Sequence, residues 1–297
     1  MIKTPSKEQQ LILFKYYQSG NLNETIKLAL SLTKNFPNHS FAWKALALSY
    51  EKTGKILKSL AANQKAKEIN PQDADVHNNL GNVLEKLEKF DEAQNSYRQA
   101  ILLKQNCTEA YYNLANLLNR LGRFDEAEKN YNQAIKFRPN YAEAFNNLAY
   151  LLNKLGRFDE SIINFKKSLK INPELVTAEA EILFLEATIG DHSNFKNLDK
   201  QSSRLGISTK SVEPFPGLSW VDNPAQQLQR SINYVAEKFK RYPINLPVKP
   251  KMLPKRIKIA YISGDFYNFP TMHLLAGVLE AHNRERFEIY AFSYALR

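Results

Sequence analysis

The stretch AYYNLANLLNRLGRFDEAEKNYNQAIKFRPN, residues 110–140, decides the fold, because its marker residues recur along the chain at one interval. Leu114 is one of four leucines, with Leu46, Leu80 and Leu148, that stand 34 residues apart. Gly122 shares that interval with Gly20, Gly54, Gly156 and Gly190, Glu88 filling the one gap. Pro139 shares it with Pro37, Pro71 and Pro173, and Gln105 takes the missing slot. Three residue types that keep one period and one phase define a structural repeat.

Each unit follows from elementary helix chemistry. Trp43, Leu46, Ala47 and Tyr50 fall on one face of a first helix. The glycine ends that helix, where the chain needs a left-handed residue to turn. Phe90-Asp91-Glu92-Ala93, Phe124-Asp125-Glu126-Ala127 and Phe158-Asp159-Glu160-Ser161 open the second helix. Their acids lie in its first turn, where the helix dipole favours negative charge. Ala66, Ala100, Ala134 and Ser168 let neighbouring helices approach, and the proline closes the unit. The run from Trp43 through Tyr50, with Ala66 and Pro71, resembles the tetratricopeptide consensus. Repeats are expected at about 6–39, 40–73, 74–107, 108–141 and 142–175. A degenerate capping repeat follows over 176–209, keeping Ile182 and Gly190 in phase.

The bulk numbers are compatible with this reading. Forty-one Lys and Arg against 30 Asp and Glu give a net charge of +11, which favours acidic partners without naming one. Cys107 is the single cysteine, so an internal disulfide is excluded and a reducing, cytoplasmic setting is expected. The four-residue apolar run before Lys15 is too short for a signal-peptide core, and no stretch approaches the ~18 apolar residues of a membrane span.

From residue 210 the composition changes. The interval 210–254 reads as a proline-rich linker with one helix, from Pro224 to about Tyr242, carrying Leu228, Ile232, Val235 and Phe239 on one face. Over 255–297, two β-branched strands (256–263 and 286–295) flank a helical stretch (271–282). Strand–helix–strand is the opening of a nucleotide-binding α/β fold. Alone it leaves apolar strand surface uncovered, so the natural product is expected to continue or the chain to be a fragment. The fold class is therefore mainly α: a tetratricopeptide α-solenoid followed by an incomplete βαβ lobe.

The segment Ile257-Lys258-Ile259-Ala260-Tyr261-Ile262-Ser263-Gly264-Asp265-Phe266, with Asn268, Pro270-Thr271 and His273-Leu274, resembles the start of the catalytic region of O-linked N-acetylglucosamine transferases. Phe287-Glu288, Tyr290 and Tyr294-Ala295 are similar too. Members of that family carry tetratricopeptide repeats before two nucleotide-binding-type lobes. The resemblance implies transfer of N-acetylglucosamine from the donor UDP-N-acetylglucosamine to protein Ser or Thr hydroxyls, with no metal and no cofactor. Where family members have a histidine between the Asn and Pro of this loop, this chain has Phe269, which cannot carry a proton. His273 matches a second family histidine, or is a helix residue with a satisfied ring. Asp265, at a strand end, belongs to a ligand site or caps the following element. Most donor contacts of the family lie outside this sequence, so the chain alone is predicted inactive.

Asn79, Asn113 and Asn147 hold one repeat position, and Asn82 and Asn116 recur three places later; Ala45 precedes the first row and Tyr150 ends the second. Amides both donate and accept, so such rows suit an extended peptide backbone of any sequence on the concave solenoid face, and the family's repeats show a similar asparagine ladder. Solvated polar residues at helix surfaces are the alternative. The expected partners are acceptor proteins. Eight Lys or Arg between Lys238 and Lys258 read as a solvated basic linker, and no nucleic-acid signature accompanies them. A non-catalytic interaction scaffold is the competing function.

Overall fold

The structure is a computed structural model that describes residues 4–191, 204–213, 223–238, 257–263 and 283–293. The chain divides into two compact units, Met1–Lys240 and Arg241–Arg297. The first is helical: α1 (Lys7–Gln18), α2 (Leu22–Asn35), α3 (Ser40–Lys52), α4 (Ile56–Ile69), α5 (Ala74–Lys86), α6 (Phe90–Leu103), α7 (Thr108–Arg120), α8 (Phe124–Phe137), α9 (Ala142–Lys154), α10 (Phe158–Ile171), α11 (Val176–Thr188) and α12 (Pro224–Lys238).

The sequence signals account for these bounds. Ser6 and Gln9 form a reciprocal capping box at α1, and Asp73 accepts from the Asp75 and Val76 amides at the start of α5. The turns inside each pair run through left-handed residues: Gly54 has φ +73° and Gly122 φ +76°. After α7, the Gly122 and Arg123 amides donate back to Asn119 and Leu118 carbonyls, at 3.1 and 2.9 Å. Glu88, in the glycine slot, adopts the same conformation at φ +60°, a strained choice for a residue with a Cβ.

Helices pack as antiparallel pairs stacked on their neighbours, and the first helices α3, α5, α7 and α9 lie side by side. The alanines at 66, 100 and 134 and Ser168 are fully buried, so adjoining backbones come close. The central core is continuous across repeats: Leu80, Leu84, Tyr97, Leu114, Tyr131 and Leu148 belong to one cluster, as stacked units with no single centre require.

Beyond α11, Leu205 and Val212 cover Ala180 and Leu183. Here α12 does something its pattern does not suggest. Leu228, Ile232 and Val235, the apolar stripe, are 63, 51 and 53% exposed, while Arg230 is fully buried. Arg230 Nε donates to the Leu205 carbonyl (2.9 Å), and Asn233 Nδ2 donates to the Gly206 carbonyl (2.9 Å). Polar anchoring to the carbonyls of a turn, not apolar burial, holds this helix against the cap. Phe239 and the expected extension to Tyr242 lie outside the described residues.

In the second unit, β1 (Ile257–Ser263) pairs in parallel with β2 (Phe287–Ser293), with Ile257 opposite Phe287 and Ser263 opposite Ser293. A parallel pair needs a crossover connection between its strands. The helical stretch expected at 271–282 lies outside the described residues.

Candidate functional site

The asparagine rows come together on α5, α7 and α9, through a bonding pattern the 34-residue interval does not announce. Asn113 Nδ2 donates to Asn78 Oδ1 and to Asn82 Oδ1, both at 3.0 Å. One repeat on, Asn147 Nδ2 donates to the Tyr112 hydroxyl and to Asn116 Oδ1, both at 2.9 Å. The two rows are thus stitched across successive repeats. From the second helices, Tyr97 Oη donates to Asn82 Oδ1 (2.9 Å) and Glu85 Oε2 (3.0 Å), and Tyr131 Oη to Asn116 Oδ1 (2.6 Å).

Burial fixes those donors. It pushes the Tyr97 and Tyr131 hydroxyls far up, with Glu85 adding to the effect on Tyr97 and Tyr112 to that on Tyr131. Both hydroxyls therefore keep their protons near neutral pH and go on donating to the amides. Each of Asn113 and Asn147 commits both amide hydrogens to a neighbour. Capacity remains on the acceptor side, at Oδ1, although Asn147 Oδ1 also receives Asn146 Nδ2 at 3.3 Å. Asn79 makes no side-chain hydrogen bond among the described residues; the positions 35 and 31 places before it, which hold the partners of Asn113 and Asn147, are Lys44 and Leu48 and offer no acceptor.

A cavity of about 340 Å³ opens over this region, bounded by Glu51, Glu85, Lys86 and Arg120 around Asn82 and Asn113. Lys86 and Glu51 pair across it at 2.6 Å, so its charge is mixed. The periodicity carries one further residue that the asparagine pattern left out. Glu181 stands 34 places after Asn147, in the same slot of α11. Burial, aided by Glu213, pushes its carboxyl up to about 7. Among the described residues, no group of three or more His, Cys, Asp or Glu is placed to hold a metal. Asp265, Phe269 and His273 lie outside the described residues.

Both parts of the chain match known families. The tetratricopeptide repeat family matches residues 72–140 and 106–174. Glycosyl transferase family 41 matches residues 229–297, which takes in most of α12 and both strands. The chain thus carries, in order, a match to the tetratricopeptide repeat family and a match to glycosyl transferase family 41. It is similar to the probable UDP-N-acetylglucosamine–peptide N-acetylglucosaminyltransferase SEC of Arabidopsis thaliana, with 34% identity over 93 residues, 28% of this chain. The matched stretch spans only 10% of that plant protein. These likenesses bear out the resemblance to O-linked N-acetylglucosamine transferases.

Solved structures support the solenoid fold of the first unit. Pseudomonas aeruginosa pilF superposes with a TM-score of 0.58 at 16% identity, covering 65% of this chain and 90% of that one. A thermophilic tetratricopeptide-repeat protein of Thermus thermophilus gives 0.53 at 18% identity, covering 60% and 97%. At such identities the likeness concerns fold alone. Among the described residues, no helix is long and apolar enough to cross a membrane.

Proposed function

We propose that the solenoid captures extended segments of acceptor proteins along the rows Asn79–Asn113–Asn147 and Asn82–Asn116, on a concave face, and delivers their Ser or Thr hydroxyls to a sugar-transfer lobe that uses UDP-N-acetylglucosamine. The observation that carries this reading is the joining of tetratricopeptide repeats to a family 41 segment within one chain. The amide rows support it, because the Oδ1 atoms of Asn79, Asn113 and Asn147 keep capacity to accept a peptide N–H, while Asn82 and Asn116, whose Oδ1 atoms each already accept two hydrogen bonds, can offer Nδ2 to a peptide carbonyl. Transfer would be displacement at the sugar carbon, requiring a positioned hydroxyl and stabilisation of the departing nucleotide. Phe269 supplies neither proton nor acceptor, so His273 and Asp265 are the remaining polar candidates of this segment. A reducing, cytoplasmic setting suits the buried Cys107 thiol, which burial pushes up and keeps protonated.

Binding of fluorescent Ser/Thr-rich peptides, read by anisotropy, tests the capture step. Asn79→Ala is the cleanest variant, since it breaks no inter-repeat bond, and it should weaken capture with unchanged thermal stability. Asn113→Ala and Asn147→Ala should weaken capture further, each with some loss of stability. Unchanged capture in the triple variant refutes the role of the rows. Titration of this chain with UDP-N-acetylglucosamine should show no binding, and measurable donor binding would place the donor site within these residues.

A further inference from the structure

One groove between successive second helices is built unlike the next two. Between α6 and α8, Arg98 faces Glu126 at 3.9 Å and Arg123 Nη1 donates to Gln94 Oε1. Between α8 and α10, Arg157 pairs with Glu128 at 2.7 Å. Among the described residues no side-chain tie joins α4 to α6, because Gln64 stands in the slot of Arg98 and Leu60 in that of Gln94. The apolar filling is missing too. Ile101 and Ile135 pack against the central core from α6 and α8, and Leu169 packs against the next cluster from α10. The same slot of α4 holds Lys67. A cavity of about 790 Å³ opens there, lined by Leu80 and Leu84 of α5 and by Pro71.

The charges around this cavity are not balanced alike. Glu68 and Glu92 line it, but Lys65 and Lys89 hold them, each at 2.8 Å. Lys67 lines it as well, and forms no ion pair or hydrogen bond among the described residues. Ser96 Oγ is spent on the Glu92 carbonyl at 2.9 Å, which leaves the amides of Gln64 and Asn95 as the uncommitted polar groups of the rim. We infer that the groove between α4 and α6 is a binding site for an amphiphilic carboxylate, an apolar chain or side chain that carries one carboxyl group. The site lies apart from the asparagine rows and does not depend on peptide capture there. The leucines and the aliphatic stem of Lys67 take the apolar body, and the Lys67 ammonium pairs with the carboxylate. Gln64 and Asn95 can donate or accept beside the head group. A cationic head would meet the one ammonium that has no counter-charge. Two sources share this chemistry: the end of a polypeptide whose last side chain is leucine-like, and a free medium-chain fatty acid.

The test follows the methyl resonances of Leu80 and Leu84 in the full chain by NMR while sodium octanoate is added below its micellar concentration. Saturable shifts are expected. Octylammonium should bind about tenfold more weakly, since attraction at Lys67 becomes repulsion. Lys67→Gln should weaken octanoate about three- to fivefold, the effect of one exposed ion pair, and leave 1-octanol unchanged. Lys67→Ile restores the filling that Ile101 and Ile135 provide in the next two repeats, so it should abolish binding of all three compounds and raise the Tm. N-acetyl-Ala-Leu, compared as free acid and as amide, separates the sources. An acid that binds tighter than both its amide and octanoate assigns the site to a polypeptide end, and one weaker than octanoate assigns it to a fatty acid. Equal binding of octanoate and octylammonium overturns the inference, as do shifts that fail to saturate or that survive Lys67→Ile.

Discussion

Replacing Gly81 with alanine should destabilise this protein, against the ordinary rule for helix interiors. Gly81 lies within α5, where alanine would normally gain about 1 kcal/mol in helix propensity. Its φ is not in the left-handed region, so the backbone raises no objection. The obstacle is a ring: a Cβ built on Gly81 would lie 2.5 Å from Tyr97 Cε1, 2.6 Å from Cδ1 and 2.9 Å from Cζ. Tyr97 is 1% exposed and its hydroxyl is tied to Asn82 and Glu85, so the ring cannot swing away without surrendering those bonds. Overpacking of this kind costs about 1–3 kcal/mol, and displacing the hydroxyl adds about 1 kcal/mol for each bond lost. Set against the propensity gain, the net expectation is a loss of about 1–3 kcal/mol. Urea unfolding followed by circular dichroism measures it. The equivalent slots on α7 and α9 hold Ala115 and Ala149, both fully buried and both accommodated. Ala115→Gly should therefore destabilise as well, by about 1 kcal/mol, so opposite substitutions in one repeat slot both do harm. A Gly81→Ala variant more stable than the parent would refute the argument.

Glu88→Gly should stabilise by about 1 kcal/mol, seen as a raised Tm, because glycine relieves a left-handed φ of +60° and the distant, exposed Arg120 pair offers little in return. Asn113→Ala should cost about 1–2 kcal/mol through the loss of two inter-repeat hydrogen bonds, while Asn79→Ala stays within about 0.5 kcal/mol; paired urea titrations decide the difference. Glu181 gives a pH dependence. With its folded pKa raised to about 7, the native state holds a proton that the unfolded chain has already released, so the contribution of Glu181 to stability is greatest in acid and falls as pH rises from the ordinary carboxylate range through 7. Glu213, Lys238, Tyr150 and Tyr234 line one cavity with Glu181; burial is the larger cause of the shift, and Glu213 adds to it. Glu181→Gln should remove the decline, being more stable than the parent by about 1–2 kcal/mol at pH 8, after allowance for partial exposure, and no more stable at pH 5. A parent whose Tm is flat between those values would refute the assignment.

The helix pairs were legible because each repeats a set of residues whose chemistry is local. Glycine at the turn, acids in a first turn and an alanine at a close approach all act within one unit, so reading one unit reads them all. The strands were legible for a similar reason, since Ile257 to Ile262 is β-branched and apolar enough to mark a buried parallel strand. What escaped is the chemistry between units. Asn113 was legible as one rung of a row, but its partners Asn78 and Asn82 lie 35 and 31 residues back, because stacked helices are offset as well as repeated. The hydroxyls of Tyr97 and Tyr131 reach the rows from second helices, a direction that periodicity does not encode. Glu181 stands in plain sight at the 34-residue interval, but a row defined by residue type omits it. On α12, Leu228, Ile232 and Val235 mark a helix correctly, yet the docking falls to Arg230 and Asn233, because the surface it meets offers the carbonyls of a turn.

The stitching of amides between repeats begins at Asn78 and ends at Asn147, and its absence upstream has a mechanical meaning. At the corresponding slots of α3 stand Lys44, Ala45 and Leu48, which cannot form such amide links, and α4 carries the small Asn63 where later repeats have Tyr97, Tyr131 and Phe165. Cooperativity in a stack of nearest-neighbour units is only as strong as each junction. The chain should therefore fray from its amino end, with amide hydrogens of the first two helix pairs exchanging well before those of α5 to α10. A segment held along the middle of the groove would sit on the stiff part of the spring, while the leading coils stay free to flex.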